Sequence, residues 1–445
     1  MNLKFDLKSL ISNLLKNATI TNVITVGITT LIVSGFGFLK DIVIADSFGL
    51  SELIDTFYIA ILVPSFISGV FLGSFNSVFI PNYVSELKTG KHIGAFQSTS
   101  FILTIGVAIF FLIIAFLFTD TYLELLYEGH TASYYELIKK QFYFVAPCIL
   151  FWGFSSVISG LLTIDNEFKY SSISTIFTPI SIILALLLFK DYLGDVVLAV
   201  GTLIGSILNF IFILGVAIKR GVIHLDKPDF KSHNVVKLFK QLPAKLSSSL
   251  LSGINPLIDQ FFSQQLVIGS IAALGYGIKI PMFAIGIVGA ALGNVLLPYF
   301  SKYAIDNPED TFIKLKQILK YLILGGSVIV VIGVLLSYPV ISILFERNAF
   351  TSNDTAVVSK IQQMYLLQIP SYVTGLVMVK FLTSINRNNI MVITSIIGLL
   401  LNITLNYFLI DIMGVYGLAL ATSLVSIMNS IVLYIYISKI NKIYV

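Results

Sequence analysis

Six charged side chains stand within long apolar stretches of this sequence, where a charge is costly unless it is paired or used. They are Lys40, Asp41, Asp55, Asp259, Lys279 and Lys380. A charge near the centre of a membrane-spanning helix costs about 2.5–3.5 kcal/mol on insertion scales, so these residues are the first candidates for function. A lysine supplies a compact, strongly hydrated cation suited to an anionic substrate. The aspartates supply carboxylates, and Asp41 and Asp259 are the candidates for ion coupling.

These charges also have structural interpretations. Lys40, Asp41 and Asp55 lie near the outer ends of their predicted helices, where an ion pair could reach the membrane surface. Lys279 lies deep within its predicted helix, just before Pro281, and could instead join the two halves of the chain through an internal salt bridge. The residues alone leave both interpretations open.

Other chemically active groups are sparse. Cys148 is the one cysteine, and no cluster of cysteine, histidine and carboxylate residues has the spacing of a metal site. No G-x-x-x-x-G-K-[ST] motif is present, so we expect no direct use of ATP. A membrane enzyme would need a large outer loop with catalytic groups, but the longest predicted outer loop, about 120–135, is short. We therefore predict neither an enzyme nor a metal or organic cofactor.

The composition is that of an all-α polytopic membrane protein. Hydrophobic residues make up 56% of the 445 residues and charged residues 11%, and the mean hydropathy is +0.93. The apolar residues form blocks of about 20, the length of a helix that crosses a ~30 Å hydrocarbon core. A β-barrel would show short alternating segments instead. The net charge of +5 does not indicate nucleic acid, because the basic residues fall in short loops between the blocks.

We predict twelve transmembrane helices from these blocks. They cover residues 20–44, 54–84, 97–119, 136–163, 172–189, 196–219, 244–265, 268–300, 312–343, 358–385, 390–411 and 414–438. A short segment at 1–19, with lysines spaced among apolar residues, is typical of an amphipathic helix on the membrane surface. With the N-terminus in the cytosol, the inner segments hold most of the 28 basic residues, as the positive-inside rule requires. Both termini are therefore predicted to be cytosolic.

The chain repeats itself at a shift of 220 residues. Residues 191–209 align with 411–429 without a gap, and the matched residues include Asp, Gly, Thr, Ser and Asn. Each half holds six predicted helices, so the halves point the same way and should form two lobes around a cavity that opens alternately to each side. The predicted parts are the cytosolic segment 1–19, an N-lobe at 20–219, a basic cytosolic linker at 220–243 and a C-lobe at 244–445.

Five stretches of the sequence together form a recognisable set of motifs. They are Gly37-Phe-Leu-Lys40-Asp41, Asp55-Thr-Phe57 with Val63-Pro64-Ser-Phe66, Phe79-Ile-Pro81 with Ser85-Glu86, Leu274-Gly-Tyr-Gly-Ile-Lys279 with Val295-Leu-Leu-Pro298, and Leu344–Thr355. These stretches resemble the MurJ (MviN) lipid II flippases, which share a superfamily with polysaccharide flippases and MATE multidrug exporters. The last stretch is the sharpest match, because Glu346, Arg347 and Asp354 follow the order of the family's L-F-E-R-G-x-F-x-x-x-D-T loop. The resemblance covers nearly the whole chain.

The resemblance implies a flippase that works by alternating access in the bacterial inner membrane. It would move an undecaprenyl-pyrophosphate-linked glycan, lipid II or a related peptidoglycan precursor, from the inner to the outer leaflet. Lys40, Asp55 and Lys279 fill positions where the family has functional charges, and Lys380 resembles a basic residue of its helix 10. These four residues form the predicted substrate site. The expected partners are the lipid-linked oligosaccharide and membrane lipid, with no nucleic acid.

The chain departs from the family at several positions. Arginines are usual in the family where this chain has Ser34, Leu62, Ser68 and Gly69, and an acid is usual at Leu72. The family also typically has fourteen helices rather than twelve. Two other transport functions therefore stay open. One is a flippase for lipid-linked repeat units of a capsule or O-antigen, and the other is a drug/cation antiporter, which would need buried acids in its cavity.

The energy for transport is expected to come from the membrane potential or from an ion gradient across the membrane. An inside-negative potential favours the outward movement of each negative charge by about 2.3 kcal/mol per 100 mV. Coupling to Na⁺ or H⁺ is the other source, in which Asp41 or Asp259 would bind the ion.

Overall fold

The computed structural model describes residues 18–89, 92–127, 129–289, 308–385 and 389–444, together with residues 296, 300 and 387. Over this part of the chain the regular structure is helical, apart from one isolated bridge between Arg347 and Phe350. The prediction of an all-α fold is therefore confirmed. Most of the predicted amphipathic segment 1–19 lies outside the described residues.

The described first half of the chain contains ten α-helices. They are α1 (Ala18–Phe48), α2 (Glu52–Ile67), α3 (Gly73–Thr89), α4 (Ile93–Leu117), α5 (Thr119–Leu126), α6 (Ala132–Val145), α7 (Cys148–Ile164), α8 (Phe168–Ile173), α9 (Phe177–Leu193) and α10 (Val197–Arg220). A five-residue π-helical turn, Ser68–Leu72, joins α2 to α3. Short 3₁₀ turns at Ser174–Ile176 and Gly194–Val196 precede α9 and α10.

The described second half of the chain contains seven α-helices. Its helices are α11 (His233–Ser263), α12 (Ser270–Gly277), α13 (Pro308–Phe345), α14 (Ser352–Leu366), α15 (Ile369–Ser384), α16 (Asn389–Met413) and α17 (Val415–Tyr444). Helical backbone resumes directly after α12 and covers residues 279–289.

Prolines account for two breaks within predicted spans. Pro64 lies inside α2, four residues before the π-helical turn at Ser68–Leu72, and the helix continues through it to Ile67. Pro147 caps the start of α7, and Pro370 stands in the first turn of α15. Proline suits a first turn because an N–H there would have no partner within the helix. Two predicted spans are therefore pairs of consecutive helices.

The start of α11 corrects the predicted boundary at 244, because this helix already begins at His233. Asn234, Val235 and Leu238 are buried, and the two apolar side chains belong to a core with α3 and α4 residues such as Phe79. Packing against this core, rather than apolar length, stabilises the lysine-rich first turns of the helix. Part of the predicted linker is consequently helical.

Ten stretches of the described residues are long and apolar enough to cross a membrane. One of them, 168–220, contains both α9 and α10, whereas α11 is not among the ten. The chain is therefore a multi-pass membrane protein. The count of twelve spans stays a prediction.

The internal repeat reappears in the backbone. Gly194 has φ of +51° and Gly414 has φ of +55°, and each directly follows the last residue of an α-helix. A 3₁₀ turn leads from Gly194 into α10, and α17 begins directly after Gly414. A positive φ is costly for residues with a Cβ, so both turns favour glycine. The two glycines are separated by the same 220 residues as the sequence repeat.

The chain divides into two compact units. The first contains residues 1–44, 59–124 and 130–249, and the second contains 45–58, 125–129 and 250–445. An aromatic core that includes Phe79, Tyr83 and Phe96 supports the first unit. Phe300, Phe312 and Phe381 lie in a core of the second unit. The division falls within α11, so this helix contributes residues to both units.

Candidate substrate and ion sites

Lys40 and Asp41 pair with each other on α1. Lys40 Nζ lies 3.1 Å from Asp41 Oδ1, and the two side chains are 24% and 6% exposed. The carboxylate offsets part of the ammonium charge, so an anionic ligand at Lys40 would compete with Asp41 for it. The ion pair expected as the structural alternative is thus present. A substrate role for Lys40 stays a prediction.

Asp55 caps the start of α12 from a distant part of the sequence. Its Oδ2 accepts a hydrogen bond of 2.6 Å from the Gly269 N–H, and its Oδ1 accepts one of 2.7 Å from the Ala272 N–H. The first N–H groups of a helix have no partner within it, and a carboxylate there also gains from the helix dipole. Asp55 is 3% exposed. In this structure, therefore, it orders the helix that leads to Lys279.

The turn between α1 and α2 packs on the motif loop, residues 344–355. Asn348 Nδ2 donates a 2.7 Å hydrogen bond to Asp46 Oδ1, and the Ala349 N–H donates one of 3.2 Å to the Asp46 carbonyl oxygen. Gly49 has φ of +55°, and a Cβ built on it would lie 2.2 Å from the Ala349 carbonyl oxygen. Glycine is required here both for the backbone conformation and for the close approach.

Side chains within the motif loop hold its shape. Thr355 Oγ1 donates a 2.8 Å hydrogen bond to Glu346 Oε2. Thr351 and Asp354 form a reciprocal capping box that begins α14. Arg347 is exposed and donates a 2.9 Å hydrogen bond to the Ile343 carbonyl oxygen near the end of α13. Glu346 and Asp354 therefore stabilise the loop, whereas Arg347 is turned to the surface.

Asp259 lies in a polar cluster with two asparagines of α16. Asn402 Nδ2 and Asn406 Nδ2 donate to Asp259 Oδ1 at 3.1 and 2.9 Å, and Asn406 Nδ2 also lies 3.3 Å from Asn402 Oδ1. Both asparagines are buried, whereas Asp259 is partly exposed. Asn402 and Asn406 are not among the site residues predicted from the sequence. Their spacing of four residues within an apolar block, which puts them on one helix face, was the available signal.

Lys279 and Lys380 are half-buried and belong to the second unit. Lys380 lies in α15 beside Phe381, which is 1% exposed. No ion pair found among the described residues involves Lys380. Lys40 belongs to the first unit. Over the described part of the chain, no group of three or more His, Cys, Asp or Glu residues could hold a metal ion.

Comparisons with known proteins agree with the motifs. The family profile described as "Lipid II flippase MurJ" matches residues 44–444. A probable lipid II flippase MurJ of Buchnera aphidicola subsp. Schizaphis graminum is 30% identical over 422 residues, covering 93% of this chain and 82% of that protein. A similar protein of Vibrio cholerae serotype O1 is 28% identical and covers 92% of this chain and 81% of its own length.

The fold has counterparts among solved structures. The inward closed conformation of a lipid II flippase MurJ superposes with a TM-score of 0.80 at 27% identity, covering 93% of this chain and 87% of that one. An inward-facing MATE multidrug transporter of the MOP superfamily shares the fold alone, with a TM-score of 0.72 at 12% identity. With the profile spanning nearly the whole chain, this protein belongs to the lipid II flippase MurJ family.

Proposed function

We propose that this protein moves lipid II, an undecaprenyl-pyrophosphate-linked peptidoglycan precursor, from the inner to the outer leaflet of a bacterial cytoplasmic membrane by alternating access. The observation that carries the proposal is the match to the flippase family over residues 44–444. The distribution of basic residues supports an orientation with both termini in the cytosol. The protein acts as a transporter and not as an enzyme.

The diphosphate of the carrier is bound by three cations, Lys40, Lys279 and Lys380. Each is half-buried, so its charge is less screened by water than a charge on an exposed loop. Asp41 holds Lys40 at 3.1 Å and keeps its ammonium group in place until an anion competes for it. Asp55 contributes indirectly, because its two hydrogen bonds order α12, the helix just before Lys279.

The Asp259 cluster is the site of coupling to Na⁺ or H⁺. Asp259 offers a carboxylate, and the two asparagines offer amide oxygens, which are ligands that hard cations prefer. Asn406 is buried, and its Oδ1 has no hydrogen-bond partner among the described residues. A bound cation would satisfy this oxygen. The same residues could instead retain a proton on Asp259, so dependence of transport on each gradient must be measured separately.

The test is translocation of fluorescent lipid II in proteoliposomes. We expect Lys40→Ala combined with Lys279→Ala to lower the initial rate about 100-fold or more, because each lost contact between charged groups is worth about 1.5–3 kcal/mol. Lys140→Ala combined with Lys219→Ala removes two exposed lysines and is the matched control. Unchanged transport by the first variant would refute the roles given to these lysines, and no transport by the wild type would refute the function.

A second substrate of the same chemical class is supported by Ser68 and Gly69. They lie in the π-helical turn, where the family usually has arginines. Fewer cations at this turn would suit a lipid-linked repeat unit of a capsule or O-antigen with a different headgroup. A competition assay tests whether the site accepts this second substrate. If it does, the lipid-linked repeat unit should slow lipid II transport when both are present at equal concentration.

A further inference from the structure

A cavity of about 540 Å³ opens on the first unit, away from the charged residues considered so far. Side chains of α4, α7 and α10 form its walls, among them Phe154, Phe210 and Leu214. The rings of Phe154 and Phe210 lie 5.3 Å apart. Its volume falls in the range of about 300–1,000 Å³ that is typical of small-molecule sites. The lining is almost entirely apolar, so the cavity suits a hydrocarbon chain.

The remaining wall is the strap, residues 221–232, which connects α10 to α11 and contributes Leu225 and Pro228 to the cavity. Polar side chains of α4 fix the strap in place. The Gln97 side chain donates to the Val222 carbonyl oxygen at 2.9 Å and accepts from the His224 N–H at 2.7 Å. Two further strap N–H groups donate to the hydroxyls of Ser98 and Thr99. A connection held in this way presents its side chains at defined positions.

The strap places two free cations next to the cavity. Lys227 stands between two lining residues, and Lys227 and Lys231 are both exposed. No ion pair found among the described residues involves either lysine. The Asp229 carboxylate accepts a 2.9 Å hydrogen bond from the Lys231 N–H. The carboxylate of Asp229 is thus engaged with the backbone, while the side chains of Lys227 and Lys231 are exposed.

Asp226 is the one acid among the lining residues, and its position limits repulsion of an anion. A Cβ built on Gly94 would lie 2.2 Å from Asp226 Oδ2, so this carboxylate rests against the first turn of α4. The positive end of a helix dipole stabilises a carboxylate at such a place. The electrostatics at the mouth of the cavity are therefore set by Lys227 and Lys231.

We propose that the cavity and the strap bind one anionic glycerophospholipid. One acyl chain lies between Phe154, Phe210 and Leu225, and the phosphate contacts Lys227 and Lys231. Apolar walls next to exposed lysines are the combination that recognises an anionic lipid at a membrane surface. A polyprenyl tail is far too long for this cavity, which favours an ordinary phospholipid as the occupant.

Native mass spectrometry of the full-length protein tests the site, with phosphatidylglycerol and phosphatidylcholine supplied in equal amounts. The wild type should retain one phosphatidylglycerol per chain in preference to phosphatidylcholine. Lys227→Gln combined with Lys231→Gln should weaken this binding about 25-fold, since each lysine near an anionic surface contributes about fivefold. Lys237→Gln combined with Lys240→Gln removes two exposed lysines of nearby α11 and should leave binding unchanged.

A second pair of variants tests the cavity itself. Leu214→Trp fills it and should lower retention at least tenfold, whereas Leu208→Trp, on an exposed part of the same helix, should not. Equal retention of the two lipids, equal effects of the two lysine pairs, or displacement of phosphatidylglycerol by undecaprenyl phosphate would each overturn the proposal. Lipid II transport by the same variants is measured separately, because the proposed function does not depend on this site.

Discussion

Removal of the Asp55 carboxylate should selectively loosen the start of α12. Asp55→Ala deletes two charge-assisted hydrogen bonds, of 2.6 Å to Gly269 and 2.7 Å to Ala272, and leaves both N–H groups without their acceptor. A hydrogen bond to a charged group contributes about 1.5–3 kcal/mol. Even at the lower bound the pair contributes about 3 kcal/mol, which corresponds to a roughly 100-fold increase in local opening.

Hydrogen exchange of the full-length protein in nanodiscs measures this opening at residues 269–274. The amides there should exchange roughly 100-fold faster in Asp55→Ala. Asp55→Asn retains one acceptor but loses the charge at the helix N-terminus, so it should fall between the alanine variant and the wild type. Glu52→Ala removes another acid from the first turn of α2 and is the control. Unchanged exchange in Asp55→Ala, or an equal increase in Glu52→Ala, would refute the capping role.

Other variants test the close approach and the polar cluster. Gly49→Ala should prevent accumulation of folded protein, because its Cβ would lie 2.2 Å from the Ala349 carbonyl oxygen, whereas Gly27→Ala, with nothing within 4 Å, should accumulate normally; membrane yield and thermal unfolding compare them. Asp259→Asn should retain substrate binding but abolish the dependence of transport on the coupling ion, measured by imposing Na⁺ and H⁺ gradients one at a time. A rate that still follows the same gradient in this variant would contradict the assignment of the coupling site.

Sequence patterns are sufficient to predict most of the helices. Apolar blocks follow from the thickness of the membrane, and the repeated turns follow from the local backbone conformation. Gly194 and Gly414 could be matched from the repeat before their φ angles were known. The partner of Asp55 could not be predicted, because Gly269 lies 214 residues away and no local pattern links them. The start of α11 was missed for a similar reason, since burial of Leu238 depends on residues of α3 and α4.

The two halves share a backbone plan but differ in the chemistry they carry. In the sequence repeat, with its shift of 220 residues, Ile182 of α9 aligns with Asn402 of α16, and Leu186 aligns with Asn406. All four side chains are buried, so the difference lies in polarity and not in position. A buried amide costs free energy unless it is hydrogen-bonded. In the second half, the hydrogen bonds that Asn402 and Asn406 donate to Asp259 offset this cost. Apolar residues are sufficient to pack these positions, because Ile182 and Leu186 fill the aligned positions of the first half. The asparagines are therefore best explained by a function of the second half, and Asn406→Leu, which copies the first half, should abolish ion coupling while leaving the fold intact.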